Sequence, residues 1–219
     1  MKPFIVLIAS IVVGTPAVAM AQSAPATYVE GALGSSFDGR LRADGVDAIL
    51  GPFAVKEDVK PGWMASLLVG RQLGASPVYL EAEGVYLANQ VKTPDLDAAF
   101  GTPLGVRSRV YGALANVRLA APQPFAVGGL ALSPYVAGGV GYGRTDISIL
   151  GDHYPGDGWM WQGKVGVSLQ ATPRLSWDLA YRYMRLPSFD TDKLGLAAHF
   201  RPEVQAISVG VRYELGERR

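Results

Sequence analysis

The chain has 219 residues and a formal net charge of +1, and it contains no cysteine and only two histidines. These counts exclude disulfide scaffolds, thiolate metal sites, three-histidine metal centres and a strongly basic surface for nucleic acid. Charged residues make up 18% of the chain against 49% hydrophobic residues and 27 glycines, a balance that fits neither a disordered chain nor a helical bundle.

The first 21 residues have the pattern of a cleaved export signal. Lys2 precedes an apolar run that is broken by Gly14 and Pro16, and a small-x-small cleavage site closes the segment. A membrane-spanning helical anchor is the alternative, but the continuous apolar run is shorter than the ~20 residues that a span needs. We therefore expect a signal peptide over residues 1–21 and a mature domain over residues 22–219.

The mature chain alternates apolar and polar residues with period two, which is typical of strands whose two faces meet different surroundings. The alternation predicts eight strands, at about 26–35, 62–74, 77–90, 107–121, 133–147, 159–171, 175–184 and 206–215. The connections between them alternate short and long. The long ones cover residues 36–61, 91–106, 148–158 and 187–203.

Eight amphipathic strands in this order predict an all-β fold, a closed antiparallel up-and-down barrel. Its apolar face either points inward around a greasy ligand, as in a lipocalin-like barrel, or outward toward lipid, as in a transmembrane barrel. Strand length favours the membrane, because about 9–11 tilted residues cross a bilayer. Aromatic residues favour it too, because they cluster at two rims as in membrane girdles. They are Trp63, Tyr86, Tyr111, Tyr142, Trp159, Trp161 and Tyr183 at one rim, and Trp177 and Tyr213 at the other.

The polar faces carry balanced charge. The four acids are Glu81, Glu83, Asp178 and Glu214, and the four bases are Arg118, Lys164, Arg182 and Arg212. A water-facing surface need not balance in this way, whereas a narrow interior must pair its charges because each unpaired buried ion costs several kcal/mol. We therefore hypothesise an interior charge network whose hydrogen bonds Gln162 and Asn116 complete. Its members are Glu81, Glu83, Arg118, Lys164, Asp178, Arg182 and Arg212.

Three segments, residues 134–142, 162–167 and 181–184, resemble the opacity-protein and OmpA-like eight-stranded outer-membrane barrels. The last strand also resembles the insertion signal of such proteins, at Ser208, Gly210, Tyr213 and Leu215, with leucine where an aromatic residue is usual. The resemblance covers about residues 26–215. It implies a monomer in the outer membrane of a Gram-negative bacterium, in contact with lipid and the barrel assembly machinery. It further implies a structural or surface-interaction, adhesin-like role, with an extracellular ligand bound through the four long connections.

Two segments invite a reading as chemical sites. The glycine-rich run 137–143 resembles a nucleotide loop, but a dinucleotide fingerprint needs a helix directly after the glycines, and this segment is predicted as strand. Asp152 and His153, near Asp157, could activate water or bind a metal, although turn-forming residues surround them. His199 has no evident partner in the sequence. We predict no catalytic residue, cofactor or metal site, and a small-solute pore and a lipid A-modifying enzyme stay open as alternatives.

Overall fold

The computed structural model describes residues 26–47, 51–91, 105–127, 130–149, 152–193 and 196–215. The predicted signal peptide lies outside the described residues. Within these ranges there are eleven β-strands. They are β1 (Thr27–Asp47), β2 (Gly51–Val59), β3 (Gly62–Gln72), β4 (Val78–Gln90), β5 (Arg107–Ala120), β6 (Phe125–Val127), β7 (Leu130–Ile149), β8 (Asp152–Gln170), β9 (Leu175–Arg185), β10 (Phe189–Lys193) and β11 (Leu196–Glu214).

Eight of the strands form a closed antiparallel ring in chain order: β1, β3, β4, β5, β7, β8, β9 and β11. The last strand closes on the first along its whole length, from Tyr28 paired with Glu214 to Asp47 paired with Leu196. Closure satisfies the backbone groups of both strands and leaves the ring without a free edge. The predicted eight-stranded up-and-down barrel is confirmed.

Three of the four segments predicted as long loops are largely β-structure. Strand β1 continues to Asp47 and pairs with β2, which together account for most of residues 36–61. Strands β7 and β8 are separated only by residues 150 and 151, and β10 and β11 form a hairpin within residues 187–203. In the fourth segment, residues 92–104 lie outside the described residues.

The sequence pattern did not predict these strand extensions, because proline, glycine and aspartate indicate turns, yet the protruding ends of barrel strands accept them. Pro155 lies within β8 and pairs with Asp146 of β7. The pairing of β8 with β9 extends only as far as Trp161 and Arg185. The stretch of β8 that contains Pro155 is therefore not paired with β9, and an edge is where a strand tolerates proline.

The two ends of the barrel differ. At the end that holds residues 26 and 215, here called the terminal end, β3–β4 and β8–β9 are joined by short turns over residues 73–77 and 171–174, and the three-residue strand β6 pairs with the start of β7. At the opposite end, here called the hairpin end, β1–β2, β7–β8 and β10–β11 extend as β-hairpins.

The outward face is apolar and the inward face is buried, as the alternation predicts. Leu67, Leu33 and Val140 point outward and are 75%, 68% and 61% exposed. Near the hairpin end the outward aromatic residues pack in pairs, such as Trp63 with Tyr86, whose ring centroids are 5.0 Å apart. No helix in the described parts of the chain is long and apolar enough to cross a membrane.

Candidate functional site in the barrel interior

Eight charged side chains meet inside the half of the barrel next to the terminal end. Seven of them are the residues of the hypothesised charge network, each at most 8% exposed, and the eighth is Glu30, whose side chain is 9% exposed. They are called the interior ion network here: Glu30, Glu81, Glu83, Asp178, Arg118, Lys164, Arg182 and Arg212. The set contains four acids and four bases, so it is neutral overall.

Glu83 is the centre of one half of the interior ion network. Its carboxylate lies 2.9 Å from Arg182 Nη1 and 3.1 Å from Lys164 Nζ. Gln162 Nε2 and Asn116 Nδ2 donate to the same carboxylate over 2.5 and 3.0 Å. Lys164 and Arg182 are directly opposite each other on β8 and β9, an arrangement that is destabilising for like charges. Glu83 reaches across the lumen and pairs with both, which compensates that repulsion.

Asp178 is the centre of the other half. Ser168 Oγ donates to it over 2.6 Å, and the Tyr135 hydroxyl donates to its second oxygen. Two guanidinium groups, Arg118 and Arg212, each approach the carboxylate to 3.4 Å. Arg212 also binds Glu30, its cross-strand partner from β1, over 2.8 Å. Each buried charge of this half thus has an opposite charge within reach, as burial of ions requires.

Two tyrosine rings support the arginines. Arg118 lies 3.4 Å above the ring centroid of Tyr135, and Arg212 lies 4.1 Å from that of Tyr28, both within the range of cation–π attraction. The rings occupy space that only glycine leaves free. A Cβ atom at Gly166 would stand 2.6 Å from the Tyr135 ring, and one at Gly70 would stand 2.3 Å from the Tyr28 ring.

We expect Gly166→Val to destabilise the barrel by about 1–3 kcal/mol, because it overpacks the contact with the Tyr135 ring. The substitution also crowds the Leu179 backbone oxygen, which would lie 2.7 Å from the new Cβ. Gly163→Val is the matched control on the same strand, since a Cβ there meets nothing within 4 Å. Urea titrations followed by the mobility of unheated samples on gels measure the difference, and equal midpoints for the two variants would contradict the packing.

The sequence interpretation did not include Glu30, Tyr28, Tyr135 or Ser168 in the interior charge network. It counted Glu214 among the balanced charges, whereas the structure leaves Glu214 partly exposed at the terminal end and places Glu30 in the interior instead. The signal was available in each case. Tyr28 and Glu30 share the inward parity of β1, and Tyr135 shares that of β7.

The half of the lumen next to the hairpin end is apolar, although the sequence interpretation expects the polar faces of the strands to fill the interior. A layer of ten buried residues fills it, here called the apolar layer: Met64, Val85, Leu87, Val110, Leu114, Met160, Met184, Leu186, Val204 and Ala206. Alternation placed Met160 and Met184 on the inward face, but that face is polar only near the terminal end. An eight-stranded interior is just wide enough for side chains, so apolar residues fill it without meeting water.

A second apolar group, here called the mouth cluster, closes the hairpin end. Its buried members are Leu41, Val91, Val106 and Ile147, and Tyr154 and Phe200 pack against them. The members come from both sides of the ring, since Leu41 belongs to β1 and Ile147 to β7. Side chains thus fill the lumen in three successive groups, from the interior ion network through the apolar layer to the mouth cluster.

Three residues of the predicted insertion signal, Ser208, Gly210 and Tyr213, lie on β11 where it pairs with β1, and Leu215 directly follows the strand. Tyr213 and Leu215 point outward and are 43% and 57% exposed, while Ser208 is 3% exposed and points inward. Gly210 also faces the lumen, where a Cβ atom would stand 3.0 Å from Glu30 Oε1. The residues therefore occupy both faces of the strand that closes the ring.

Both histidines lie at the hairpin end, away from the lumen network. His153 Nδ1 contacts Asp146 over 3.0 Å. His199, for which the sequence offered no partner, contacts Asp190 over 2.7 Å. In the described ranges no three histidine or carboxylate side chains are grouped so that they could hold a metal ion.

Comparisons with known proteins agree with this architecture. The sequence model of the outer membrane protein β-barrel domain family matches residues 5–214. No curated protein sequence matches the chain significantly.

Among solved structures, the outer membrane protein OprG from Pseudomonas aeruginosa aligns with a TM-score of 0.59 at 14% identity, over 90% of this chain and 98% of that one. Neisserial surface protein A aligns with a TM-score of 0.46 at 17% identity, over 86% and 97%. The Ail protein of Yersinia pestis, in complex with the heparin analogue sucrose octasulfate, gives 0.43 at 13% identity, over 86% and 99%. At these identities the likeness to OprG shows a shared fold.

Proposed function

The chain belongs to the outer membrane protein β-barrel domain family, and we propose that it is a plugged, non-conducting barrel that presents β-hairpins outside the cell to a binding partner. Its place is the outer membrane. The filled lumen is the observation that carries the proposal. An adhesin-like or structural role uses the barrel as an anchor, and a packed interior without a passage is compatible with that role.

Both halves of the lumen are filled in a way that opposes the passage of solutes. In the terminal half, Arg182, Lys164 and Glu83 meet across the lumen within 3.1 Å. In the other half, Met64 and Met184 are both fully buried. A solute would have to separate paired charges and then displace apolar side chains, and both steps are unfavourable.

The hairpins support a role outside the cell. Strand β1 runs 12 residues past Ser35, the partner of the girdle residue Trp63, to Asp47, roughly 40 Å of strand at 3.3 Å per residue. Short turns at the terminal end and longer connections at the other match the periplasmic and extracellular sides of outer-membrane barrels. We therefore place both termini in the periplasm and the hairpins outside.

Signal peptides are removed from mature exported proteins, so we expect the mature protein to begin at Gln22 or within a residue or two. The small residues before this position fit a signal-peptidase site. Intact-mass measurement of protein extracted from outer membranes checks this directly. Retention of Met1 would contradict the signal peptide while leaving the barrel assignment intact.

Site-specific photo-crosslinking in living cells tests the surface role. A photoreactive amino acid at Val46, near the tip of the β1–β2 hairpin and 55% exposed, is expected to form adducts with a macromolecule other than the barrel. Val209, which is 51% exposed on the lipid-facing wall of β11, is the matched control and is expected to form adducts with lipid only. Equal adduct patterns at both positions would contradict the proposal.

Deletion of a hairpin distinguishes the surface role from the two alternatives, a small-solute pore and a lipid A-modifying enzyme. Deleting residues 43–55, which lie between the paired Arg42 and Lys56, and closing the gap with an Asn-Gly turn retains the hairpin register. For a surface-interaction protein this deletion abolishes partner binding. If the protein is a pore, the same deletion leaves solute uptake intact. If it is a lipid A-modifying enzyme, lipid A isolated from cells that contain the protein differs in mass from lipid A of cells that lack it.

A further inference from the structure

We propose that the outer wall of β4, β5 and β7 binds a phosphorylated glycolipid of the outer leaflet, with its phosphate on Arg109 and Arg144 and an acyl chain in the groove beside them. The inference requires the location in the outer membrane, and it does not depend on the proposed surface role.

The groove is a depression in the lipid-facing wall. It has a volume of about 480 Å³, and it is lined by small outward residues of β4 and β5 and by Val140 of β7. Gly84 is opposite Ala113, and Ala82 is opposite Ala115, so two successive outward residue pairs of β4 and β5 lack large side chains. Leu67 on the β3 side and Tyr142 on the β7 side, which are 75% and 50% exposed, rise on either side of the Gly84–Ala113 pair.

The two arginines lie on the hairpin-end side of the groove, and the outward residue Tyr111 stands between the groove and Arg109. Arg144 is opposite Tyr111 of the aromatic girdle, and Arg109 is one outward position farther along β5. Both side chains point away from the lumen and are exposed. Aromatic residues of the girdle mark the membrane interface. Both arginines therefore lie at the level of the lipid headgroups.

The carboxylates directly opposite these arginines on the neighbouring strands have other partners. Asp146, the cross-strand partner of Arg109, contacts His153 over 3.0 Å, and Asp157, the partner of Arg144, accepts a hydrogen bond from the Tyr142 hydroxyl. Among the described residues neither guanidinium has an ion pair. By contrast, Arg201 on the opposite side of the barrel pairs with Asp44.

This arrangement selects the ligand by chemistry. A guanidinium is a planar fork of donors that matches phosphate oxygens, and basic residues at the membrane surface attract anionic lipid headgroups. A free phosphate would use the arginines and leave the groove unused. A glycolipid that carries phosphate and acyl chains uses both features together, so we assign the site to such a lipid.

Native mass spectrometry of the folded barrel with diphosphoryl lipid A tests the assignment. At about fivefold in affinity per basic residue, the double variant Arg109→Gln, Arg144→Gln is expected to bind about 25-fold more weakly. The control Arg185→Gln, an exposed outward arginine of β9 away from the groove, is expected to retain affinity. Dephosphorylated lipid A is expected to bind the wild-type barrel as weakly as the double variant binds the diphosphoryl form.

The groove is tested separately by Gly84→Leu, which fills it, and Gly163→Leu, which adds the same side chain to an outward position with nothing within 4 Å. Only the first is expected to weaken binding. Folding of every variant is verified by its mobility on unheated gels. Equal loss in Arg185→Gln and the double variant, equal loss in the two leucine variants, or phosphate-independent binding would each overturn the proposal.

Discussion

Replacing Arg182 with alanine is expected to destabilise the barrel by about 3–5 kcal/mol, the cost of leaving a buried charge without its partner. The Arg182 side chain is 3% exposed, and its Nη1 lies 2.9 Å from Glu83. Without it, Lys164 is the one remaining cationic partner of the Glu83 carboxylate within the described part of the chain. Urea titration of the folded barrel in lipid vesicles measures the loss.

The matched control is Arg185→Ala, on the same strand but on the outward face, where a change of less than about 0.5 kcal/mol is expected. Replacing Arg182 and Glu83 together with methionine and glutamine removes both charges of the pair and is expected to cost less than Arg182→Ala alone. If Arg182→Ala proves as mild as Arg185→Ala, the interior ion network does not stabilise the barrel.

Replacing Val165 with arginine is expected to cost about 2–4 kcal/mol, as a cation does on the lipid-facing side near the bilayer midplane. Val165 is 51% exposed and points outward from β8, between the aromatic residue Trp161 and the terminal end. The yield of folded barrel in lipid vesicles and its urea midpoint both measure this cost.

His153→Arg is the control, because His153 lies on the same strand and face but beyond the girdle residue Trp159. There the penalty falls to about 0–1 kcal/mol. An arginine at the inward position Ser168 would not be a mild control, since the Ser168 hydroxyl donates to Asp178 over 2.6 Å in the lumen. Equal effects at Val165 and His153 would show that the outward face of β8 does not meet lipid.

The eight spanning strands could be predicted because two surroundings impose the same period on every one of them. Lipid outside requires apolar residues at one parity, as at Val165 and Leu179, and the narrow interior requires small or paired residues at the other. The protruding hairpins meet water on their outer faces, so outward residues beyond the girdle need not be apolar. The signals left there, such as Pro155, indicate turns even where backbone pairing continues.

The members of the interior site were readable from parity, but their pairing was not. Glu30 meets Arg212 because β1 and β11 close the ring in one register, with Tyr28 opposite Glu214. Glu83 meets Arg182 across the lumen, from strands that are not neighbours. Strand stagger fixes both contacts, and no local pattern encodes it.

The apolar layer was missed for a related reason. Alternation distinguishes the two faces of a strand by their contrast, and inward methionines such as Met160 and Met184 weaken that contrast without reversing it. Their burial at 2% and 0% exposure depends on how the eight strands converge. Only the closed ring shows that half of the interior is filled by such residues.

The filled lumen is tested most directly by planar-bilayer recording of the purified wild-type barrel, after unheated gels have shown that it is folded. We predict no stable conductance steps, because the interior ion network, the apolar layer and the mouth cluster occupy the lumen in succession. Large, long-lived conductance steps from the wild-type protein would contradict the filled lumen and would identify the barrel as a pore.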